Sequence, residues 1–359
     1  MKKISVIGLR GFPGVQGGVE VHCERLYQHF SKDSQITVYR RNPYLTEHSN
    51  KKYENISFID YPSTRIKGFE AVCHTFLSVC DIIVKRPDVV HVHNIGPGMF
   101  IPMLKLFGRR VGITYHSPNY EHKKWGWIAR NILKFSEWLS LNFADEVIFV
   151  NKFQMEKVGQ NYQKKSHYIP NGINNVERSK DADFLMKHGI TPGKYVLAVG
   201  RITPEKGFDV LVEAVNKSPE VEQLVIAGAS DHSTEYYERL KELDKNGKVI
   251  FTGFTTGEDL RQLYSHARMF VLSSYNEGFP LVLLEAMGYG LPLVVSDIPA
   301  THLLTFPDED YVPVGDAEAM SKAISDKWHK VDGSMVKYDL TEFNWSNIAV
   351  QTEKLLTGK

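Results

Sequence analysis

Two acidic residues lie near the start of an apolar segment in the second half of the chain. In NEGFPLVLLEA, Glu277 and Glu285 are separated by seven residues, and Pro280 suits the first position of a helix. If the helix begins there, Glu277 lies in the preceding loop and Glu285 about a turn and a half inside the helix. Because a carboxylate in an apolar helix is costly to bury without a partner, the pattern predicts two carboxylates that contact one ligand at different depths. A buried glutamate with a purely structural partner is the alternative.

Two cations follow a strand-like segment upstream of these carboxylates. In VGRITPEKG, Arg201 comes directly after the apolar run, and Lys206 stands beside Gly207 at the start of an amphipathic segment. Arginine binds phosphate through two parallel hydrogen bonds, and a helix N-terminus adds backbone N–H donors. The spacing therefore predicts a diphosphate-binding site. Solvated surface charge is the alternative, and the position between a strand and a helix argues against it.

A glycine-rich loop follows the first strand-like segment. The run GLRGFPGVQGGVE contains five glycines, of which Gly17 and Gly18 open a helix. Glycines allow backbone N–H groups to approach an anion closely at such a helix start. The spacing is not GxGxxG, and the loop is longer than a dinucleotide fingerprint requires, so NAD binding is disfavoured. A tight turn without a ligand is the alternative.

The histidines in the first half of the chain could form a metal site, but we do not expect one. His91 and His93 alternate along DVVHVH and share one side of a strand, and His116 follows a later strand. No glutamate or cysteine completes a ligand set at suitable spacing, so we expect strand-end histidines that donate to the backbone. Two Asp-x-Asp pairs that could hold a divalent ion are expected to be solvated turns: Asp181 with Asp183, and Asp308 with Asp310.

The elements that must position these residues follow from the alternation of apolar runs. Short β-branched runs alternate with amphipathic segments, which is typical of parallel sheets covered by helices, and 359 residues suffice for about two domains. We predict two Rossmann-like, doubly wound α/β domains over residues 1–170 and 171–345, with a final helix in 346–359 that could pack back on the first. Because ligands bind at the carboxyl ends of parallel strands, the domains are expected to face each other across an interdomain cleft. The predicted strands are ISVIG, ITVY, ISFID, DVVHVH, RVGITY, DEVIFV, YVLAVG, LVIAG, KVIFTG, MFVLSS and LPLVVSD.

Composition places the chain among ordinary globular proteins. Apolar residues make up 42% and charged residues 24%, which excludes a disordered, collagen-like or coiled-coil chain. The three cysteines lack CxxC spacing, so a disulfide framework is not expected. The start of the chain lacks a signal-peptide pattern, and no run of eighteen apolar residues occurs. We therefore expect a cytoplasmic protein.

Charge is divided unequally along the chain. Residues 1–180 contain 26 lysines and arginines against 15 acidic residues, or +11, and the remainder contains 17 against 27, or −10. Tryptophans and cations are interleaved in HKKWGWIARNILKFSEWLSL, which is typical of peripheral binding to an anionic inner-leaflet membrane. An ordinary core-facing helix and attraction between two oppositely charged domains are the alternatives, and no nucleic-acid recognition motif is present. The residues that we expect on the membrane or acceptor side are Lys123, Lys124, Trp125, Trp127 and Arg130.

Taken in order, these motifs resemble those of the retaining nucleotide-sugar glycosyltransferases of family 4. The resemblance rests on the glycine-rich first loop, ITYHS, IPNGIN, GRITPEKG and NEGFPLVLLE, and it covers essentially the whole chain. GLRGFPGVQGGVE and YEHKKWG are further similar to a bacterial surface-polysaccharide subfamily that includes rhamnosyltransferases. The resemblance implies a GT-B fold and transfer of a sugar from a nucleoside-diphosphate-sugar donor to a glycan, with retention and without a metal or other cofactor. The positive charge of the first half and its interleaved tryptophans favour a lipid-linked acceptor.

The same resemblance implies a role for each matching residue. Arg201 and Lys206 would bind the donor diphosphate, assisted by the backbone of Gly17 and Gly18. Glu285 would bind the ribose, and His116 would approach the donor sugar. The remaining residues would contact the sugar or the base: Glu277, Gly278, Phe279 and Pro280 the sugar, and Gly253 and Phe254 the nucleobase.

Two other functions are compatible with the same architecture. A nucleotide-sugar 2-epimerase would need no acceptor and would have further acidic or histidine residues around its site. A non-catalytic nucleotide- or glycan-binding relative is disfavoured because the four charged residues of the motifs are all present: Arg201, Lys206, Glu277 and Glu285.

Overall fold

The computed structural model describes residues 1–64, 69–118, 120, 126–230, 234–330 and 334–358. The chain forms two compact units, one containing Met1–Gly172 and Phe343–Lys359 and the other Ile173–Glu342. Each unit is a parallel sheet flanked by helices. The prediction of two Rossmann-like α/β domains is therefore confirmed.

Among the described residues of the first unit, seven parallel strands form one sheet in the order β3-β2-β1-β4-β5-β6-β7. Their buried positions are mostly Val and Ile, as expected of strands covered on both faces. The strands are β1 (Lys2–Ile7), β2 (Ser34–Arg41), β3 (Ile56–Tyr61), β4 (Val89–His93), β5 (Arg110–Tyr115), β6 (Glu146–Phe149) and β7 (Ser166–Tyr168). The helices are α1 (Gly18–Gln28), α2 (Phe69–Lys85), α3 (Ile101–Leu106), α4 (Trp127–Phe143), α5 (Lys152–Val158) and the C-terminal α12 (Trp345–Thr357).

The described part of the second unit has six parallel strands in the order β10-β9-β8-β11-β12-β13. They are β8 (Tyr195–Val199), β9 (Gln223–Ala227), β10 (Val249–Gly253), β11 (Met269–Leu272), β12 (Leu293–Ser296) and β13 (Tyr311–Val312). The helices are α6 (Asp183–Lys187), α7 (Phe208–Asn216), α8 (Thr234–Leu243), α9 (Gly257–His266), α10 (Leu281–Gly288) and α11 (Ala317–Lys330). The amphipathic helix α7 buries its apolar face, including Phe208 and Leu211, in the core beside β8 and β9.

Two details differ from the sequence-based expectation. Helix α10 begins at Leu281 and not at Pro280, whose ψ of 88° is not helical and whose carbonyl accepts the first helical hydrogen bonds. Strands β7 and β13 were not predicted from the apolar runs, and both are short edge strands.

Two expectations about the chain as a whole can be compared with the structure. Within the described residues, no helix has both the length and the apolar character needed to cross a bilayer. Cys23, Cys73 and Cys80 are free thiols, and Cys23 is buried on α1.

Candidate functional site

The topology identifies the sheet edges at which a ligand site should form. In the first unit β1 lies between β2 and β4, and in the second β8 lies between β9 and β11. At such switch points the connections leave in opposite directions and open a crevice at the carboxyl ends of the strands. The residues predicted from the sequence lie after these strands or their neighbours: Gly17 and Gly18 after β1, His116 after β5, Arg201 and Lys206 after β8, and Glu277 after β11.

In the second unit the structure brings one predicted cation and one predicted carboxylate together. Lys206 Nζ lies 2.6 Å from Glu277 Oε1, and the Ser274 hydroxyl donates to the same oxygen over 2.7 Å. The Lys206 and Glu277 side chains are only 19% and 11% exposed. Charge-assisted hydrogen bonds in such an environment hold both groups in defined positions. Arg201 is half-buried at the start of the same loop.

Gly207 allows the two loops that carry this ion pair to approach each other. Its φ is 61°, and a Cβ atom there would lie 2.2 Å from the Ser273 carbonyl oxygen. The Ser273 hydroxyl donates to the Lys206 carbonyl over 2.8 Å, and the Tyr275 N–H donates to the Glu205 carbonyl over 2.9 Å. The glycine of the GRITPEKG motif is therefore required by the close contact that positions Lys206.

Glu285 is oriented by a buried tyrosine that the sequence motifs do not include. The Tyr264 hydroxyl donates to Glu285 Oε2 over 3.0 Å, and the Tyr264 ring stacks on Tyr289 at a centroid distance of 5.0 Å. Burial, reinforced by the Glu285 carboxylate, raises the pKa of Tyr264 well above its usual value, so the hydroxyl keeps its proton. One oxygen of the Glu285 carboxylate is thereby held in place.

The remaining predicted residues of the second unit lie at the ends of two strands. Gly253 ends β10 with a φ of 72°, and the Phe254 side chain that follows is 42% exposed. Gly278 is half-buried, whereas Phe279 and Pro280 are buried immediately before α10. The Phe254 ring is thus accessible to solvent, while Phe279 is part of the packed base of the loop.

In the first unit the glycine-rich loop closes over a buried carboxylate. Helix α1 begins at Gly18, and a Cβ atom on the preceding Gly17 would lie 2.0 Å from Glu20 Oε2. Glu20 Oε1 accepts a hydrogen bond of 3.0 Å from the Arg10 backbone, and its side chain is buried in the first turn of α1. Glu20 is not part of the predicted site. Its position directly after the two glycines, where acidic residues are favoured in a helix, is the signal that could have identified it.

Three buried histidines meet at the ends of β4 and β5. His22 on α1, His93 on β4 and His116 after β5 have ring nitrogens within 4.8 Å of one another. His93 Nδ1 lies 3.0 Å from His116 Nε2, and His22 Nδ1 lies 2.6 Å from Asn171 Oδ1. Burial lowers the pKa of His22 to about 4, against the effect of the Asn171 hydrogen bond, and it lowers the pKa values of His93 and His116 well below the usual value. The three rings are therefore neutral at pH 7.

The expectation that the strand histidines donate to the backbone is wrong. His91 and His93 both contact the Tyr27 hydroxyl, and His91 also contacts the Thr114 hydroxyl. These partners come from α1 and β5, so they could not be identified from the spacing along β4 alone.

Neutral imidazoles are also the form that binds transition metals. His22 completes a three-nitrogen set with His93 and His116, and its Nε2 atom is buried with no hydrogen-bond partner among the described residues. Within the described residues, these three side chains form the group that could hold a metal ion, although His93 and His116 already share a hydrogen bond.

One of the Asp-x-Asp expectations is wrong. Asp310 is not solvated, because its side chain is buried and forms an ion pair with Lys327 of α11. Asp308 is exposed, and Asp183 accepts a hydrogen bond of 2.5 Å from the Gln262 side chain.

Helix α4 turns its small residues inward and its aromatic residues outward. Ser136 and Ser140 are buried, and the Ser136 hydroxyl donates to the Ile95 carbonyl over 2.5 Å. Trp127 is 80% exposed and Trp138 is 52% exposed. Three residues of the predicted membrane-side set, Lys123, Lys124 and Trp125, lie outside the described residues, whereas Arg130 is exposed on α4.

Helix α2 also exposes apolar side chains. Both α2 and α4 pack against the turn Pro97–Phe100, and the rings of Phe76 and Phe100 are 6.1 Å apart. Monomeric soluble proteins rarely expose large contiguous apolar patches without a function. We call the following exposed side chains the outer apolar surface: Phe69 and Phe76 on α2, and Trp127, Phe135 and Trp138 on α4.

Comparisons with known proteins agree with this architecture. Residues 183–329 match the family model of glycosyl transferases group 1, and residues 16–176 match that of glycosyltransferase family 4. An uncharacterized glycosyltransferase of Methanocaldococcus jannaschii is 27% identical, over 98% of this chain and 96% of the relative. The alpha-galactosylglucosyldiacylglycerol synthase of Streptococcus pneumoniae is 25% identical, over 69% of this chain and 70% of the relative. The crystal structure of Anabaena HepE in complex with UDP-glucose is similar with a TM-score of 0.76, at 16% identity over the full length of both chains.

Proposed function

We propose that the chain is a glycosyltransferase of the superfamily whose group 1 and family 4 models match its two halves, and that it moves a sugar from a nucleoside-diphosphate-sugar donor to a lipid-linked glycan in bacterial surface-polysaccharide synthesis. The observation that carries the proposal is the Lys206–Glu277 pair, held between the loops that follow β8 and β11. It places a cation suited to the diphosphate beside a carboxylate suited to sugar hydroxyls. Anabaena HepE, which shares the fold, was crystallised with UDP-glucose.

Arg201 and Lys206 stabilise the leaving group. As the bond from the anomeric carbon to phosphate breaks, negative charge develops on the diphosphate, and cations already in position stabilise that charge without reorganising. Lys206 is in position because Gly207 and Ser273 fix its backbone and Glu277 holds its ammonium. The second unit thus supplies the electrostatic part of catalysis.

The two carboxylates divide the recognition of the donor. Glu277, anchored by Ser274, accepts hydrogen bonds from the hydroxyls of the donor sugar. Glu285, oriented by Tyr264, accepts hydrogen bonds from the ribose. The first unit contributes His116 toward the donor sugar, together with the backbone of Gly17 and Gly18 at the start of α1.

Substitution of Lys206 tests the catalytic part of the proposal. We expect Lys206→Ala and Arg201→Ala each to lower kcat/KM by about 2–4 kcal/mol of transition-state stabilisation, or roughly 30- to 1000-fold. Lys217→Ala, which removes an exposed lysine paired with Glu318 in the same unit, is the matched control and should leave the rate unchanged. Wild-type turnover in both test variants, measured as released nucleoside diphosphate, would exclude the assignment.

Carboxylate-to-amide variants test the division of recognition. Glu285→Gln should weaken the binding of free nucleoside diphosphate, whereas Glu277→Gln should weaken chiefly the binding of the sugar-bearing donor. Calorimetric titration with UDP, GDP and dTDP, and with their glucose, mannose and rhamnose derivatives, measures both effects and identifies the donor. Equal losses of nucleoside diphosphate affinity in the two variants would contradict this division between ribose and sugar.

Retention and independence of metal belong to the same proposal. Because Arg201 and Lys206 meet the diphosphate charge, the reaction should continue in excess EDTA. The resemblance of the motifs to those of retaining enzymes leads us to propose that the anomeric configuration of the donor is conserved. The linkage in the product, determined by NMR, and turnover with chelator decide both points. Rescue of a chelated enzyme by magnesium, or an inverted linkage, would reject this part. Release of nucleotide without any acceptor, together with an isomerised sugar, would favour the epimerase instead.

The acceptor side of the proposal concerns the outer apolar surface. We propose that this surface docks on the anionic cytoplasmic face of the inner membrane, where a lipid-linked acceptor would lie. Exposed tryptophans suit the bilayer interface, and Arg130, with Lys123 and Lys124 of the preceding segment, suits anionic headgroups. The related alpha-galactosylglucosyldiacylglycerol synthase has a name that describes a glycolipid product.

Sedimentation with liposomes tests the docking. Each basic residue near an anionic surface contributes about 1 kcal/mol, and salt screens the attraction, so binding should need phosphatidylglycerol and fall as ionic strength rises. Trp127→Ser with Trp138→Ser should weaken binding, whereas Val350→Ser, at a 51% exposed position on α12, should not. Wild-type protein that stays in the supernatant at low salt with anionic liposomes would exclude membrane docking.

A further inference from the structure

A chain of hydrogen bonds joins five buried side chains in the core of the first unit. The Tyr27 hydroxyl oxygen lies 2.7 Å from His91 Nδ1 and 2.7 Å from His93 Nε2. His91 Nε2 lies 2.8 Å from the Thr114 hydroxyl oxygen. His93 Nδ1 lies 3.0 Å from His116 Nε2. This series of hydrogen bonds therefore begins at Thr114 on β5, passes through Tyr27 on α1, and ends at His116.

The number of protons in this chain limits how it can be arranged. The Tyr27 hydroxyl has one proton, so it donates to one imidazole and accepts from the other. A hydrogen bond between His93 and His116 likewise requires a proton on only one of the facing nitrogens. Each ring carries a single proton, because all three are buried and their hydrogen-bond partners in this network are hydroxyls and imidazoles, not carboxylates that could balance the charge of a second proton.

Two arrangements satisfy every bond of the chain. In the first, His91 donates to Tyr27, Tyr27 donates to His93, and His93 donates to His116, so each ring carries its proton on Nδ1. In the second, each of these bonds is reversed, and each ring carries its proton on Nε2. Thr114 is compatible with both, since a hydroxyl can donate to His91 or accept from it. Three independent rings would have eight combinations of tautomers, whereas the connected hydrogen bonds permit two.

We infer that Tyr27 is a positioning residue that fixes the tautomer of His116 by coupling it to those of His91 and His93. The Nδ1 atom of His116, the nitrogen that does not face His93, is then a donor in one arrangement and an acceptor in the other. The consequence for catalysis rests on the proposed function, in which His116 contacts the donor sugar. There, the shared tautomer decides whether a sugar hydroxyl accepts a hydrogen bond from His116 or donates one to it.

NMR of the histidine rings tests the coupling without reference to activity. Long-range 1H–15N correlation spectra of protein labelled at histidine identify which nitrogen of each ring carries the proton. We expect one shared tautomer at His91, His93 and His116 in the wild-type chain. We expect Tyr27→Phe to give a mixture of tautomers at His116. Tyr39→Phe removes another buried hydroxyl of this unit, one that donates to Asp81 over 2.7 Å, and should leave the shared tautomer in place.

Three results would overturn the inference. The first is a different tautomer at any of the three rings in the wild type, and the second is a single unchanged tautomer at His116 in Tyr27→Phe. The third is stoichiometric binding of added zinc chloride with resonance changes at His22, His93 and His116, because a nitrogen that ligates a metal cannot also take part in the His93–His116 hydrogen bond.

Turnover separates this inference from the proposed function. We expect Tyr27→Phe to lower kcat in proportion to the fraction of His116 that leaves the required tautomer, about twofold for an equal mixture, and to change the affinity for free nucleoside diphosphate less, because the second unit supplies the side chains that bind it. Tyr39→Phe should change neither quantity. If the tautomers prove to be coupled in the wild type but kcat is unchanged in Tyr27→Phe, the hydrogen-bond network is supported and the contact between His116 and the donor sugar is excluded.

Discussion

Acid should destabilise the first unit well above the pH at which carboxylates titrate. Five buried histidines of this unit have lowered pKa values, with burial as the main cause: His22, His74, His91, His93 and His116. In the folded chain these rings are neutral, whereas in the unfolded chain they bind protons near pH 6.5. Because the unfolded state binds more protons, the free energy of unfolding falls as the pH falls through 6.5, and it continues to fall until the folded-state pKa values are reached.

The size of the effect follows from counting these rings. Between pH 7.5 and pH 5.5, each ring that stays neutral in the folded state lowers the free energy of unfolding by about 1.4 kcal/mol, so five rings lower it by about 7 kcal/mol. The folded-state pKa values do not enter this figure, since those of His22 and His74, about 4, and that of His91, about 3, lie below pH 5.5. A loss of this size approaches the whole stability of many domains, about 5–15 kcal/mol.

Urea denaturation at the two pH values, followed by tryptophan fluorescence, measures the loss. His74→Gln keeps a donor for the Arg40 carbonyl, which His74 Nε2 contacts at 3.0 Å, and should reduce the loss by about 1.4 kcal/mol. His329→Gln, at an exposed position on α11, should not reduce it. Equal stability at pH 7.5 and pH 5.5 would refute the neutral state of the buried rings.

Two further predictions concern the second unit. Gly207→Ala should lower the free energy of unfolding by more than Gly189→Ala does. Both glycines have φ near 60°, which destabilises alanine by about 1–2 kcal/mol, but only the Cβ atom at position 207 would meet Ser273. Similar losses for the two variants in urea titrations would contradict the close contact. Tyr264→Phe should raise the dissociation constant of nucleoside diphosphate by about tenfold, or 1.4 kcal/mol, by releasing Glu285. Tyr195→Phe, which removes a hydroxyl that donates to the Leu263 carbonyl, should not change that constant.

The strands that carry the site could be predicted from the sequence because they are central and buried on both faces. The segment DVVHVH gives β4, whose residues Val89–His93 are all buried, and YVLAVG gives β8. The apolar runs did not reveal β7 and β13, which have three and two residues and lie at sheet edges. An edge strand packs against a single neighbour and needs fewer apolar residues, so its pattern is weak.

The orientation of α4 could not be derived from its sequence. An amphipathic helix has an apolar and a polar face, and the usual assumption places the apolar face in the core. In this unit Gly98 packs so closely on α4 that a Cβ atom there would lie 1.9 Å from the Ser140 hydroxyl oxygen. Only small residues fit that contact, which turns Trp127 and Trp138 outward. The partner that decides the orientation lies about forty residues away in the chain, in the turn before α3.

The motif IPNGIN shows how a pattern can be recognised before its physical reason is known. In the structure Asn171 Oδ1 accepts from His22 Nδ1 over 2.6 Å, which leaves Nε2 of His22 as an acceptor directed away from Asn171. A Cβ atom on Gly172 would lie 2.8 Å from the Trp345 ring, so the glycine admits the start of α12. Both partners are more than 140 residues away in sequence. The motif therefore joins α1 and α12 to the end of the first sheet. We attribute Asn171 and Gly172 to packing around His22, and not to direct contact with a ligand.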